Sequence, residues 1–197
     1  KGIVMGLPAY NSALRACERG AQPDRALALL DRMEAEAQAG KSCSPDVRSY
    51  SSMIGACARA QSMDNTNGDW WRKSLEVLQR AKQAPSPAAR PNLFTYTAAM
   101  TACAKGRQSQ AALSLLEEME ESGLKPDLIT YNALLSACRL GNDPQAALST
   151  LTRMQTAGYG VDAISLSEVL GALHSTNDGG SQEVRKCISA LVQSTGH

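Results

Sequence analysis

The 197-residue chain has only 4% aromatic residues and two histidines, His174 and His197. Neither histidine has a candidate ligand beside it, so no histidine-based triad or zinc site is expected. No run of about 18 apolar residues occurs and no charged-apolar-small pattern opens the chain, which excludes a membrane span and reads as a soluble protein. There is no G-x-x-x-x-G-K phosphate loop and no pair of carboxylates that stands out from ordinary helix surface. No catalytic residue, metal, cofactor or small-molecule substrate is therefore expected. Six cysteines without a Cys-x-x-Cys pair are too few for a disulfide scaffold and point to a reduced compartment. Twenty Lys and Arg against nineteen Asp and Glu leave +1, which excludes a histone-like protein. Any nucleic acid would be held by local charge.

What the chain does have is a repeat. Aligned on Tyr10, Tyr50, Tyr96 and Tyr131, the segments read AYNSALRACERG, SYSSMIGACARA, TYTAAMTACAKG and TYNALLSACRLG. Apolar residues follow each Tyr at three, four and seven places: Ala13, Leu14, Cys17; Met53, Ile54, Cys57; Ala99, Met100, Cys103; Leu134, Leu135, Cys138. That spacing is one face of an α-helix. Gly20, Gly106 and Gly141 then stand where a left-handed helix cap is expected, with Ala60 the exception. A second apolar set, Leu27, Leu30, Met33; Leu75, Leu78, Ala81; Leu113, Leu116, Met119; Leu148, Leu151, Met154, marks a second helix. In the fourth unit Asn142-Asp143-Pro144 supplies a capping side chain and a Pro at its start.

The units span 7–46, 47–92, 93–127 and 128–162, with lengths of 40, 46, 35 and 35. The extra residues read as loops, at Glu36 to Ser44 in the first unit and at Ser62 to Asp69 and Pro85 to Ala89 in the second. Residues 1–6 resemble the tail of a preceding repeat, so the chain reads as a fragment. Residues 163–197 form a degenerate repeat or cap, with Leu166 in the Tyr slot and a helix-compatible stretch from Glu183 to Gln193 after a turn at Asn177 to Gly180. Helix pairs of this size cannot bury their apolar faces alone, so they must stack. The expected fold is an all-α solenoid, a right-handed superhelix of antiparallel helix pairs.

A 35-residue unit with T-Y-N/T at its start, A-L-x-L-L-x-x-M in its second helix and G-x-x-P-D at its end resembles the pentatricopeptide repeat. The resemblance covers nearly the whole chain and is gapless over 93–127 and 128–162. It implies sequence-specific binding of single-stranded RNA, one base per repeat, in mitochondrion or chloroplast RNA processing, stability or translation. It also implies which residues read the bases: Asn11 with Asp46, Ser51 with Asn92, Thr97 with Asp127, and Asn132 with Asp162. The residues that sandwich the bases would be Pro8, Arg48, Phe94 and Ile129, of which Pro8 and Arg48 depart from the usual aliphatic residue.

The residues themselves support part of this. Positions one, five and nine after each Tyr share a face: Asn11, Arg15, Arg19; Ser51, Gly55, Arg59; Thr97, Thr101, Lys105; Asn132, Ser136, Leu140. In three units a hydrogen-bonding group is followed by a cation, Arg19, Arg59 or Lys105, suited to a phosphate. Carboxylates only accept, so Asp46, Asp127 and Asp162 call for a ring N–H, as in uracil or guanine, whereas the Asn92 amide suits adenine. In the family, Asn in the first place goes with pyrimidines and Ser or Thr with purines, so the implied series is 5′-U-A-G-U-3′.

Other features read as structure. Cys17, Cys57, Cys103 and Cys138 recur on the apolar face and are expected to be buried, not metal-bound. Met33, Met119 and Met154 are expected in the core, a Trp of Trp70-Trp71 over apolar surface, and Glu117, Glu118, Glu120 and Glu121 on a solvated face. Two alternatives to a free-standing RNA-binding module remain open. One is a helical scaffold for protein partners; the other is the RNA-binding part of a larger RNA-processing enzyme.

Overall fold

The computed structural model describes residues 5–40, 43–63 and 69–174. Among them every regular element is helical: α1 (Leu7–Arg19), α2 (Pro23–Gln38), α3 (Val47–Met63), α4 (Trp70–Gln83), a 3-10 turn (Pro87–Ala89), α5 (Leu93–Lys105), α6 (Ser109–Glu121), α7 (Leu128–Leu140), α8 (Pro144–Thr156) and α9 (Ala163–His174). They form two compact units, Lys1–Gly106 and Arg107–His197. In the first, α1 pairs with α2 and α3 with α4, and α1, α3 and α5 stack in turn. In the second, α7 pairs with α8, α6 packs on α7, and α9 packs on α7 and α8. Three-residue connections fold α2 back on α1 and α8 back on α7. First helix stacked on first helix is the solenoid arrangement, here all-α.

The repeated tyrosines anchor it: Tyr10, Tyr50, Tyr96 and Tyr131 are all buried, as are Leu14, Met53, Ile54, Met100, Leu134 and Leu135 one turn on. Each such Leu, Ile or Met contributes about 1.5–3 kcal/mol by leaving water. Met33, Met119 and Met154 lie in the same core. On the second helices the buried stripe is Ala26, Leu30, Met33; Ser74, Leu78, Ala81; Ala112, Leu116, Met119; and Ala147, Leu151, Met154. Leu27, Leu75, Leu113 and Leu148, expected in that stripe, are half-buried instead. Steps of four and three hold to one face of a 3.6-residue helix, whereas steps of three and three drift off it.

The repeat glycines differ from expectation. Gly20, Gly106 and Gly141 have φ of −85°, −79° and −81°, and the left-handed residue is the next one, Ala21, Arg107 or Asn142, at 49°, 58° and 54°. At Gly106 and Gly141 glycine serves by its size. A Cβ on Gly106 would stand 2.6 Å from Trp71 Cδ1, and one on Gly141 would stand 3.0 Å from the Ala137 carbonyl oxygen. Trp71 therefore lies over the end of α5, on packing duty.

Where Ala60 replaces that glycine, α3 runs on to Met63, so Ser62 and Met63 are helical and not loop. Likewise Glu36 to Gln38 belong to α2, since Ala, Glu and Gln favour helix. Cys57, Cys103 and Cys138 are buried, but Cys17 is only half-buried. Its helix packs on α2 and α3, whereas α3, which carries Cys57, is covered by α1, α2, α4 and α5. On the outer face Arg80 of α4 reaches Asp31 of α2 at 2.6 Å and Glu34 of α2, which also accepts from Tyr50 Oη at 3.0 Å. In the second unit Arg153 of α8 reaches Glu120 of α6 at 2.7 Å. Glu117 and Glu121 are solvated. The expected stretch from Glu183 to Gln193, the turn at 177–180, residues 64–68, His197 and most of the expected tail at 1–6 lie outside the described residues.

Candidate nucleic-acid interface

Four first helices, α3, α5, α7 and α9, start at an Asp or Asn whose side chain meets a Ser or Thr three residues on, whereas α1 starts at Gly6 without a side-chain cap. Asp46 Oδ1 accepts from the Ser49 amide at 3.0 Å and from the Arg48 amide at 3.0 Å. Asn92 Oδ1 accepts from the Thr95 backbone N–H at 3.0 Å, and the Asn92 backbone N–H donates to Thr95 Oγ1, a closed capping box. Asp127 Oδ1 accepts from the Thr130 amide at 2.8 Å and Asp162 Oδ1 from the Ser165 amide at 2.7 Å. Ser49, Thr95, Thr130 and Ser165 are fully buried. These four hydroxyl residues went unassigned in the sequence reading, although the D/N-x-x-S/T spacing that announces them is legible.

In three of the four pairs named by the resemblance, the capped residue or its cap lies beside the other member. Asn11 Nδ2 donates to Asp46 Oδ1 and Oδ2 at 3.2 and 3.3 Å, and Asn11 Oδ1 accepts from Ser49 Oγ at 2.7 Å. Ser51 Oγ lies 2.9 Å from Thr95 Oγ1, the hydroxyl of the Asn92 cap. With its Oδ1 engaged in that cap, Asn92 presents the donor half of its amide. In the second unit the Asp162 carboxyl is held below its usual range, first by the Ser165 backbone N–H and then by the Ser165 hydroxyl, with a smaller effect from the Asn132 side chain. The Asn132 Oδ1 is buried with no partner among the described residues. Thr97 lies in the first unit, with its Oγ1 donating to the Leu93 carbonyl, and Asp127 in the second.

Asn11, Arg15, Asp46, Ser51, Asn92 and Phe94 line one groove of about 800 Å³ in the first unit. Pro8 and Arg48 also line it and are exposed. Phe94, Ile129 and Ile164 are the exposed large hydrophobics among the described residues, at 65%, 68% and 59%. All three occupy the second position of a first helix. Leaving such side chains in water has no packing rationale, and flat apolar surface beside hydrogen-bonding groups is what a base requires. Ile164 was missed because its unit lacks the Tyr on which the alignment was built.

Arg19, Arg59 and Lys105 are exposed. Lys105 Nζ donates to Ser62 Oγ. Burial first, and then the charge of Arg59, lowers the pKa of Lys105. The face is not uniformly basic. The Glu18 carboxylate lies in the groove against Gly55, where an added Cβ would stand 2.8 Å from its Oε1. At the equivalent place in the second unit, Arg139 crosses Gly171 and pairs with Glu168. Among the described residues no helix is long and apolar enough to cross a membrane.

Comparison with known proteins bears on this arrangement. The family model described as a pentatricopeptide repeat domain matches residues 88–142 and 114–158, and the PPR repeat model matches residues 8–36. A chloroplastic pentatricopeptide repeat-containing protein of Arabidopsis thaliana is 28% identical over 112 residues, which is 57% of this chain and 20% of that protein. The chain thus spans about a fifth of that relative's length. Among solved structures, the PPR domain of Arabidopsis thaliana protein-only RNase P 1 in complex with tRNA is similar with a TM-score of 0.68 and 16% identity, over 92% of this chain and 86% of that one. PPR10 in complex with an 18-nt psaJ RNA element is similar with a TM-score of 0.70 and 22% identity, over 100% of this chain and 29% of that one.

Proposed function

We infer, since this chain belongs to the pentatricopeptide repeat family, that it is a single-stranded RNA-binding module of an RNA-processing protein. The observation that carries this reading is the recurrent unit of a capped Asp or Asn beside a hydrogen-bonding side chain and an exposed apolar one. Arg48 stands in the apolar place after Asp46, but a peptide scaffold has no need of such a set at successive repeats. Asn11 with Asp46, Ser51 with Asn92, and Asn132 with Asp162 are the base readers, and the repeat pattern adds Thr97 and Asp127. Phe94, Ile129 and Ile164, with Pro8 and Arg48 in the first two units, flank the bases. Arg19, Arg59 and Lys105 meet phosphates. Both similar structures named above hold RNA in their crystals, which supports the assignment.

No reaction is assigned to these residues; any catalytic step belongs to another domain of the whole protein or to a partner. An organellar setting fits the chloroplastic relative, and mitochondrion and chloroplast are both compatible with it. The test is competition titration with single-stranded oligonucleotides. RNA containing U-A-G-U should outcompete scrambled RNA, with a salt slope of about −2 from three phosphates at about −0.7 each. Equal competition by scrambled RNA, or a slope near zero, would sink the reading in favour of a protein-binding scaffold.

A further inference from the structure

Ser62 lies in the last turn of α3, exposed, in the sequence Arg59-Ala60-Gln61-Ser62. Its hydroxyl donates to the Ala58 carbonyl at 3.3 Å and accepts from Lys105 Nζ of α5. Arg59 stands one turn earlier on α3, close enough for its charge to act on Lys105. Lys105 of α5 thus reaches a solvent-facing hydroxyl of α3 that has Arg59 one helical turn before it. Neither cation makes an ion pair with a carboxylate among the salt bridges of the described residues. The hydroxyl is a weak partner for such a pair, whereas a dianion is a strong one.

We propose that Ser62 is a phosphorylation site whose phosphate is seated by Lys105 and Arg59 and thereby withdraws both cations from RNA. The transfer is balanced: Ser62 Oγ attacks the γ-phosphorus of a nucleoside triphosphate, and the bond to the bridging oxygen breaks. Nucleoside diphosphate leaves with that electron pair, and the hydroxyl proton passes to a base of a protein kinase that prefers an Arg three residues before its target. The negative end of the α3 dipole opposes a phosphate at this place, but two charge-assisted contacts outweigh a partial charge. The regulatory half rests on the proposed role of Arg59 and Lys105 in phosphate contact; the seat itself does not.

The test compares the unmodified protein, the same protein with phosphoserine encoded at position 62, and Ser62→Ala, with an Arg-directed kinase and ATP added to the first and third. The unmodified protein should gain one phosphoryl group at Ser62 and Ser62→Ala none there. The phosphoserine protein should bind the U-A-G-U oligonucleotide about 25-fold more weakly at 0.1 M salt, with a slope of about −0.7, as two of three phosphate contacts are lost at about −0.7 each. Its phosphorus NMR resonance should shift on Lys105→Ala, a reading that needs no RNA. Failure of the kinase to modify native Ser62, a resonance indifferent to Lys105→Ala, or unchanged RNA affinity of the phosphoserine protein overturns the proposal. If the unmodified protein ignores RNA altogether, the RNA reading and the regulatory half fall together, while the phosphorus resonance still judges the seat.

Discussion

Asn11 and Asp46, thirty-five residues apart, hold each other by two contacts of 3.2 and 3.3 Å from one amide to both carboxylate oxygens. The carboxylate is simultaneously the start of α3. On the proposed reading, a base would meet here a carboxylate whose position is set by the backbone.

Asp46→Asn should separate reading from folding. Asn caps helices about as well as Asp, so the melting midpoint should move by no more than a few degrees. The added NH2 donates where the carboxylate accepted, which fits the ring nitrogen of cytosine in place of the ring N–H of uracil. Titration with U-A-G-U and C-A-G-U oligonucleotides should show the preference swing by roughly tenfold, from the ~1–3 kcal/mol cost of an unpaired polar group. An unchanged ratio would count against the pair as a reader.

Thr95→Val keeps the shape and removes the hydroxyl that ties Asn92 to Ser51. The expected loss is about 1–2 kcal/mol in urea unfolding, from the cap and a buried bond. Binding at the second base should also weaken relative to the fourth.

Gly106→Ala tests size against flexibility. With φ of −79° the backbone accepts alanine, so any cost arises from the methyl meeting Trp71 at 2.6 Å. We expect about 1–3 kcal/mol of overpacking, and most of it should vanish in the background of Trp71→Leu, a coupling that a double-mutant cycle measures.

Burial pushes the Cys57, Cys103 and Cys138 thiols up to about 12. Their protonated forms favour the folded state, so that stability is complete below the unfolded thiol pKa near 9 and is lost as pH rises toward 12. The melting midpoint should fall steadily over that window. In the native protein Cys17 should be labelled by a thiol reagent ahead of these three, and Cys103→Ser should cost roughly 1–3 kcal/mol through an under-satisfied hydroxyl.

The solenoid was legible because the tyrosine register and the apolar steps behind it are local patterns that depend on helix geometry alone. The proposed reading pairs are nameable by resemblance, but their coupling is not, since nothing in the string says that Ser49 bridges Asn11 and Asp46. The glycines misled because a small residue at a helix end has two explanations, a left-handed turn or a close neighbour. At Gly106 it is the position of Trp71, thirty-five residues earlier, that separates them. The end of α3 was set too early because loop composition was read across Ser62 and Met63, while the missing glycine at Ala60 was the stronger signal.

On the proposed reading, one oxygen of each capping side chain is committed to starting a helix before any nucleotide arrives. The alphabet available at that position is therefore short. Asp, Asn, Ser and Thr all start helices, whereas Lys, Gln or a bulky apolar residue would write a new letter and erase the helix that carries it. Respecifying these repeats for another sequence is a choice among helix starters first and among hydrogen-bond patterns second. The more varied half of the vocabulary must come from the partner slot, Asn11, Ser51 and Asn132, where the helix has already begun.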